Sequence, residues 1–162
     1  VTKLSFVLFF LAASLTGCRT VDSTEAVSQV VPRFFLESSD PRAMTIRLPQ
    51  SGVQVAISPK PVFTEHDLTG VDLAQVELGK CLLFQLTPAA GRDLYRMSGS
   101  NQGRRLVLLV DGQPVGARRM DGTLTGGMIF IFVELPDDRL AGLVTELKTN
   151  LARLQRAAAR KT

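Results

Sequence analysis

Apolar and polar residues alternate over several short stretches of this chain. MTIRLP sets Met44, Ile46 and Leu48 on one face against Thr45 and Arg47, and GVQVAI does the same with Val53, Val55 and Ile57. A period of two marks a half-buried strand, and turn-forming Pro49–Gly52 between the two runs predicts a hairpin. Upstream, Arg33 to Glu37 is a strand-like run closed by the turn-rich SSDP. Downstream, Ser58-Pro59-Lys60-Pro61 breaks the pattern, and Thr64 is placed to cap a single turn over Glu65–Leu68. Gly70 to Leu78 alternates with one phase slip, Lys80 to Thr87 is a more apolar strand, and MIFIFVEL (128–135) is strongly β-forming.

Two stretches carry the helical period instead. Thr87 can cap a helix whose first residue, Pro88, loses no hydrogen bond there. That helix carries Ala90, Leu94 and Met97 on one side, and Gly99 or Gly103 ends it. From about Asp137, residues Leu140, Leu143, Val144, Leu147, Leu151 and Leu154 form one apolar stripe. Asp137 and Asp138 suit the positive end of that helix, and Arg156, Arg160 and Lys161 its negative end. The basic tail, 158–162, reads as a solvated helix end, with a membrane-surface contact as the alternative. Strands joined in hairpins with two separate helices predict an α+β fold: a mostly antiparallel sheet of hairpins with two helices packed on one face.

The hairpin within RRLVLLVDGQPVGARRM (104–120) raises a charge question. Asp111-Gly112 signals a two-residue loop, because both central residues of a type I′ turn need positive φ. A regular ladder from that turn sets Val110 opposite Gln113, Leu108 opposite Val115 and Leu106 opposite Ala117. It also sets Arg105 opposite Arg118 and Arg104 opposite Arg119. Directly opposed like charges destabilise a ladder by a few tenths to about 1 kcal/mol. Three resolutions are open: the ladder ends or bulges near Gly116, a carboxylate such as Glu134 or Asp121 sits between the arginines, or an anionic ligand does. Pro114 lacks a donor and points to an edge position for the second strand.

Composition changes the picture at one end only. The chain has 162 residues, enough for one domain, and its formal charge of +4 is too mild to argue for nucleic acid. Residues 1–17 differ in kind: Lys3 supplies a short positive start, and LSFVLFFLAASLTG is an apolar stretch of signal-peptide length. It ends in Leu15-Thr16-Gly17-Cys18, which resembles the bacterial lipobox; an N-terminal core helix ending in Gly-Cys is the alternative. The resemblance implies removal of residues 1–17 and acylation of Cys18, palmitate being a typical chain, with residues 18–32 as a flexible tether. Two or more acyl chains anchor stably. Arg19 follows the cysteine, and without the aspartate that signals inner-membrane retention in many Gram-negative lipoproteins, outer-membrane sorting is favoured. The domain is then expected over 33–157, in the bacterial envelope, facing the periplasm or outside. Cys81 keeps no partner for a disulfide and reads as a buried small hydrophobe rather than a reactive thiol.

The segment from Phe84 to Gly127 resembles the head subdomain of the large periplasmic domain of SecD/SecDF, the accessory subunit of the Sec protein translocase. The residues that carry the likeness are Phe84, Leu86, Thr87, Pro88 and Gly91, then Asn101, Gly103, Arg104 and Leu106, then Asp111, Gly112, Ala117, Gly126 and Gly127. Residues 62–80 resemble the stretch that precedes it, and a strand and closing amphipathic helix follow as in the family. Two departures matter. Arg118 stands where the family has proline, and the loop to Gly126-Gly127 is shorter. Beyond the signal segment no apolar run is long enough to span a bilayer, so the likeness covers the head and not the membrane motor.

That resemblance implies a binding module contacting exported or envelope polypeptides, with Arg104, Arg105, Val115, Arg118 and Arg119 as the candidate partner-binding residues. The alternative is a structural or assembly lipoprotein docked onto one fixed envelope partner, unrelated to Sec export. Catalysis is not expected. His66 stands alone in TEHD, Asp111 is a turn residue, Ser98 and Ser100 have no base nearby, and GSNQGRR lacks the ending of a phosphate loop. No metal-ligand spacing and no cofactor motif occur. Nucleic acid is not expected either, since no aromatic residues interleave with the arginines.

Overall fold

A computed structural model describes residues 30–160. Residues 1–17, read from the sequence as a signal segment, Cys18, read as the lipidation site, most of the expected tether and the last two residues of the tail lie outside the described residues. Residues 30–32, read from the sequence as the end of the tether, are docked on the domain: Val30 is buried and Pro32 begins the first strand.

Eight strands and two α-helices follow in the order β1 (Pro32–Leu36), β2 (Met44–Arg47), β3 (Gln54–Ile57), β4 (Leu68–Val76), β5 (Gly79–Leu86), α1 (Pro88–Ser100), β6 (Arg105–Val110), β7 (Gln113–Arg119), β8 (Met128–Ile131) and α2 (Asp137–Ala159). The fold is α+β, and every strand pair is antiparallel. The strands form three sheets rather than one, in the orders β1-β6-β7, β2-β3 and β4-β5-β8. Isolated bridges stitch the sheets together, among them Glu37–Ile57 and Gly116–Val133.

Period-two patterning explains the layers. Phe34, Leu106, Leu108 and Val110 point from the first sheet into the main core, where they meet Val71, Leu82, Phe84, Ile129 and Ile131 of the third. The Phe34 and Phe84 rings touch edge to face at 5.1 Å, bridging the two sheets. Both helices feed this same core, α1 through Ala90 and Leu94, α2 through Val144, Leu147 and Leu151. The opposite face of the first sheet carries Phe35, Val107 and Leu109, which β2 and β3 cover with Ile46, Val55 and Ile57. The first sheet is thus buried on both sides. Its strand β6 accordingly reads as a continuous apolar run, LVLLV, where alternation is lost.

Local signals hold where chemistry is local. The β2–β3 hairpin pairs Ile46 with Val55 and closes with Leu48 N donating to Val53 O at 2.9 Å. Thr87 caps α1, its hydroxyl accepting from Ala90 N at 3.3 Å. The single turn after Thr64 is a 3₁₀ turn over Glu65–Asp67, in which the Asp67 carboxylate accepts from Thr64 N at 2.8 Å. The phase slip read between Leu73 and Val76 is not a bulge, since pairing with β5 runs regularly from Leu73 to Val76; the register shifts earlier, between Leu68 and Gly70. MIFIFVEL, in contrast, is not one strand. Met128–Ile131 pairs with β5, and the chain then crosses to bridge β7 at Val133.

Candidate functional site

The hairpin of β6 and β7 turns at Asp111 and Gly112, whose φ values of 51° and 78° are the left-handed pair that a type I′ turn requires. Asp111 does more than turn the chain. Its carboxylate accepts from Val31 N at 2.7 Å and its own N–H donates to Val31 O at 3.1 Å, which fixes the segment leading into β1.

From the turn, Val110 faces Gln113 and Leu109 faces Pro114, and then the register slips. Leu108 faces Gly116, Val107 faces Ala117, Leu106 faces Arg118 and Arg105 faces Arg119. The regular ladder expected from the sequence is therefore wrong by one residue beyond Pro114. Val115 is the extra residue of a β-bulge, one of the three resolutions the sequence left open. Its side chain lies in the main core at 7% exposure, and its carbonyl accepts from Glu134 N at 2.7 Å. Gly116 is where the 132–133 segment crosses: a Cβ there would lie 2.3 Å from the Phe132 carbonyl oxygen. As Pro114 indicates, β7 lies at the edge of its sheet.

The four arginines part company. Arg105 still opposes Arg119, but each has its own carboxylate. Arg105 Nη1 meets Glu37 Oε1 at 3.0 Å, with its backbone N–H on the second oxygen at 2.8 Å, and Arg119 Nε meets Asp121 at 3.2 Å. Glu37 takes the place the sequence assigned to Glu134. Asp121 acts as expected, although that exposed pair is screened and worth little. Glu134 instead holds the β2–β3 turn, accepting from Gln50 N, Ser51 N and Ser51 Oγ. Arg118 lies half-buried and donates to the Phe130 carbonyl at 3.0 Å, tying β7 to β8. Arg104 is exposed, and its side chain pairs with no described residue.

What the hairpin does border is a cleft of about 460 Å³ beside the β4–β5 turn. Val76, Leu78, Ala117, Phe130 and Phe132 supply its apolar walls, with Arg118, Arg119 and Asp121 at the polar side. Leu78 stands 85% exposed at the turn, a large apolar side chain with no core to fill. The sequence placed Leu78 in an alternating strand and gave no sign of this exposure. Cys81 lies fully buried at the base of the cleft. Burial pushes its thiol above the usual range, against the pull of Arg118, a direction that disfavours the nucleophilic thiolate.

The Ser98 hydroxyl is used by the fold, donating to Tyr95 O at 3.2 Å and accepting from Leu124 N at 2.8 Å. His66 is exposed, with Glu65 at 3.8 Å. Among the described residues no three His, Cys, Asp or Glu side chains converge as metal ligands would, and no helix is long and apolar enough to cross a membrane.

No family model and no curated protein matches the chain. Solved structures do. A crystal structure of SecDF in a super-membrane-facing form aligns with a TM-score of 0.57 at 18% identity, over 74% of this chain and 18% of that one. A structure of SecDF as a membrane component that enhances protein export aligns with a TM-score of 0.58 at 18% identity, over 82% of this chain and 70% of that one. This chain spans less than a fifth of the length of the first of them. At such identity the likeness reaches the backbone arrangement alone, and the described domain has a SecD-like α+β fold.

Proposed function

We propose that the protein is a lipid-anchored, non-catalytic module of the bacterial envelope whose SecD-like domain holds exported or envelope polypeptides. The observation that carries this reading is the apolar cleft beside Leu78, a site with walls for side chains and no chemistry for turnover. SecDF is described as enhancing protein export, and a domain of the same fold on a lipid tether at Cys18 suits a holding role at the membrane surface. Extended segments would lay apolar side chains against Leu78, Val76 and the two phenylalanines. Such contacts ask little of sequence. Arg118 supports the wall through Phe130, while Arg119 and Asp121 keep the rim wet. Val115, buried in the core, acts through the shape of the hairpin and not by touch.

Photocrosslinking in cells tests the reading. A crosslinker at Leu78 is expected to trap a heterogeneous set of exported polypeptides, and one at exposed Ala141 on α2 is not. A single stoichiometric band from Leu78 would instead favour docking onto one fixed envelope partner. No crosslink at all would sink both.

A further inference from the structure

A second concavity, of about 630 Å³, lies between α1 and the 125–127 loop. Its shape depends on glycine. Gly126 and Gly127 take φ of 75° and 64°, conformations that L side chains rarely adopt, and a Cβ on Gly91 would sit 3.2 Å from Gly127 Cα. Helix and loop therefore meet backbone to backbone at the floor. Gly127 O accepts from Leu86 N at 2.9 Å, which holds the loop to β5.

The charge of this groove is one-sided. Arg92, Tyr95 and Arg96 project from one face of α1, and no carboxylate lines the groove. Arg92 is exposed and its side chain pairs with no described residue, while Arg96 shares only Asp93, a neighbour on the helix surface. The N-terminal end of α1, at Thr87 and Pro88, opens here and adds its positive dipole. Tyr95 is 55% exposed, so the groove joins an unfilled aromatic surface to two cations. In the 104–120 hairpin the opposed arginines each have a carboxylate. On α1, Arg92 has no such partner among the described residues, and Arg96 has only Asp93 on the exposed helix surface.

We propose that this groove takes an acidic segment of a bound polypeptide. A glutamate or aspartate carboxylate meets Arg92 and Arg96, and a neighbouring apolar side chain lies against Tyr95 and Leu86. Charge complementarity carries the assignment: a cationic, partly apolar groove suits an extended chain in which acidic and apolar residues alternate. The inference rests on the polypeptide-holding reading and adds a second, charge-selective contact to the apolar cleft.

The sequence supplies its own probe, because it contains one tyrosine and no tryptophan. Tyr95 emission of the full chain in detergent is to be followed on titration with a blocked peptide alternating leucine and glutamate. The comparison peptide alternates leucine and lysine. A saturable change is expected with the acidic peptide, weakened by added salt and at least about tenfold weaker for the basic one. Joint Arg92→Glu and Arg96→Glu substitution, at exposed positions that leave the melting temperature in place, is expected to abolish the preference, whereas Arg92→Lys with Arg96→Lys retains most of it. Equal binding of both peptides, or no effect of the glutamate variants, overturns the proposal. So does tighter, arginine-dependent binding to phosphatidylglycerol vesicles than to the peptide, which would make the groove a lipid-headgroup site. If Leu78 still traps polypeptides in cells while the charge preference is missing, this inference alone fails. Loss of both removes the polypeptide-holding reading itself.

Discussion

Glu134 accepts three hydrogen bonds from a turn more than eighty residues away, from Gln50 N at 2.9 Å, Ser51 N at 2.8 Å and Ser51 Oγ at 2.6 Å. Partial burial would raise its pKa, but the donors of Ser51 and Gln50 outweigh that and hold the carboxyl below the ordinary glutamate range. A folded-state value below the unfolded one stabilises the protein at neutral pH. That contribution is present above the unfolded value, about 4.3, and is lost as pH falls through the folded one. Glu134→Gln is therefore expected to lose roughly 1 kcal/mol at pH 7, the discount reflecting partial solvent exposure. In thermal melts taken from pH 7 to pH 3, the gap between wild type and variant should close as the acid limb is entered. A constant gap would mean that Glu134 acts by packing and not by charge. No sequence pattern announces this residue, because its donors belong to a hairpin tip that only the fold brings near.

At the scale of elements, the signals that succeeded are short-range. The Asp-Gly turn, the Thr87 cap, the hairpin across 49–52 and the leucine stripe of α2 all depend on residues within a few positions of each other. The β7 bulge was legible only as one of three options, since opposed arginines show that a regular ladder is strained without showing where it yields. It yields at Val115–Gly116 because the chain from β8 must cross there, a demand made from another sheet. Gly116→Ala tests that account. The added methyl meets the Phe132 carbonyl and Val133 Cα, backbone atoms that cannot rotate away, and a loss of about 2–3 kcal/mol in denaturant unfolding is expected. Gly122→Ala, with open space around the new methyl, is the control and should be near neutral. Asn150 is a further element-level surprise. Buried on the α2 stripe, it donates to Val30 O at 2.7 Å and accepts from Arg153 at 2.7 Å, so a polar residue straps the start of the domain to its last helix.

For the molecule as a whole, the proposed lipid anchor at Cys18 can be tested apart from the fold. The described residues fill two cores, one on each face of the first sheet, and Val30 is buried in one of them. Cys18→Ser is accordingly expected to abolish labelling by radioactive palmitate and to move the protein from the membrane fraction to the soluble one. The melting temperature of the domain should be unchanged. Retention of the label, or of membrane attachment in the variant, would overturn the assignment of a lipid anchor to Cys18. The α+β class was legible because hairpin and helix periods are both strong in this chain. The division into three sheets was not, since a period of two identifies a strand and says nothing about which strand lies across the core.

Taken alone, the sequence determined the local conformations: where strands alternate, where turns need positive φ, where a helix is capped and which of its faces is apolar. These follow from sterics and from hydrogen bonds between near neighbours. It also identified the arginine conflict in 104–120, but could not resolve it. Tertiary structure decided the partners. It assigned Glu37 and Asp121 to the opposed arginines, spent Arg118 on the Phe130 carbonyl, left Leu78 exposed beside an apolar cleft, and set Arg92 and Arg96 over a groove floored by two glycines. Apart from the Arg119–Asp121 pair, only two residues apart, these outcomes depend on segments distant in the chain that the packing of sheets and helices brings together.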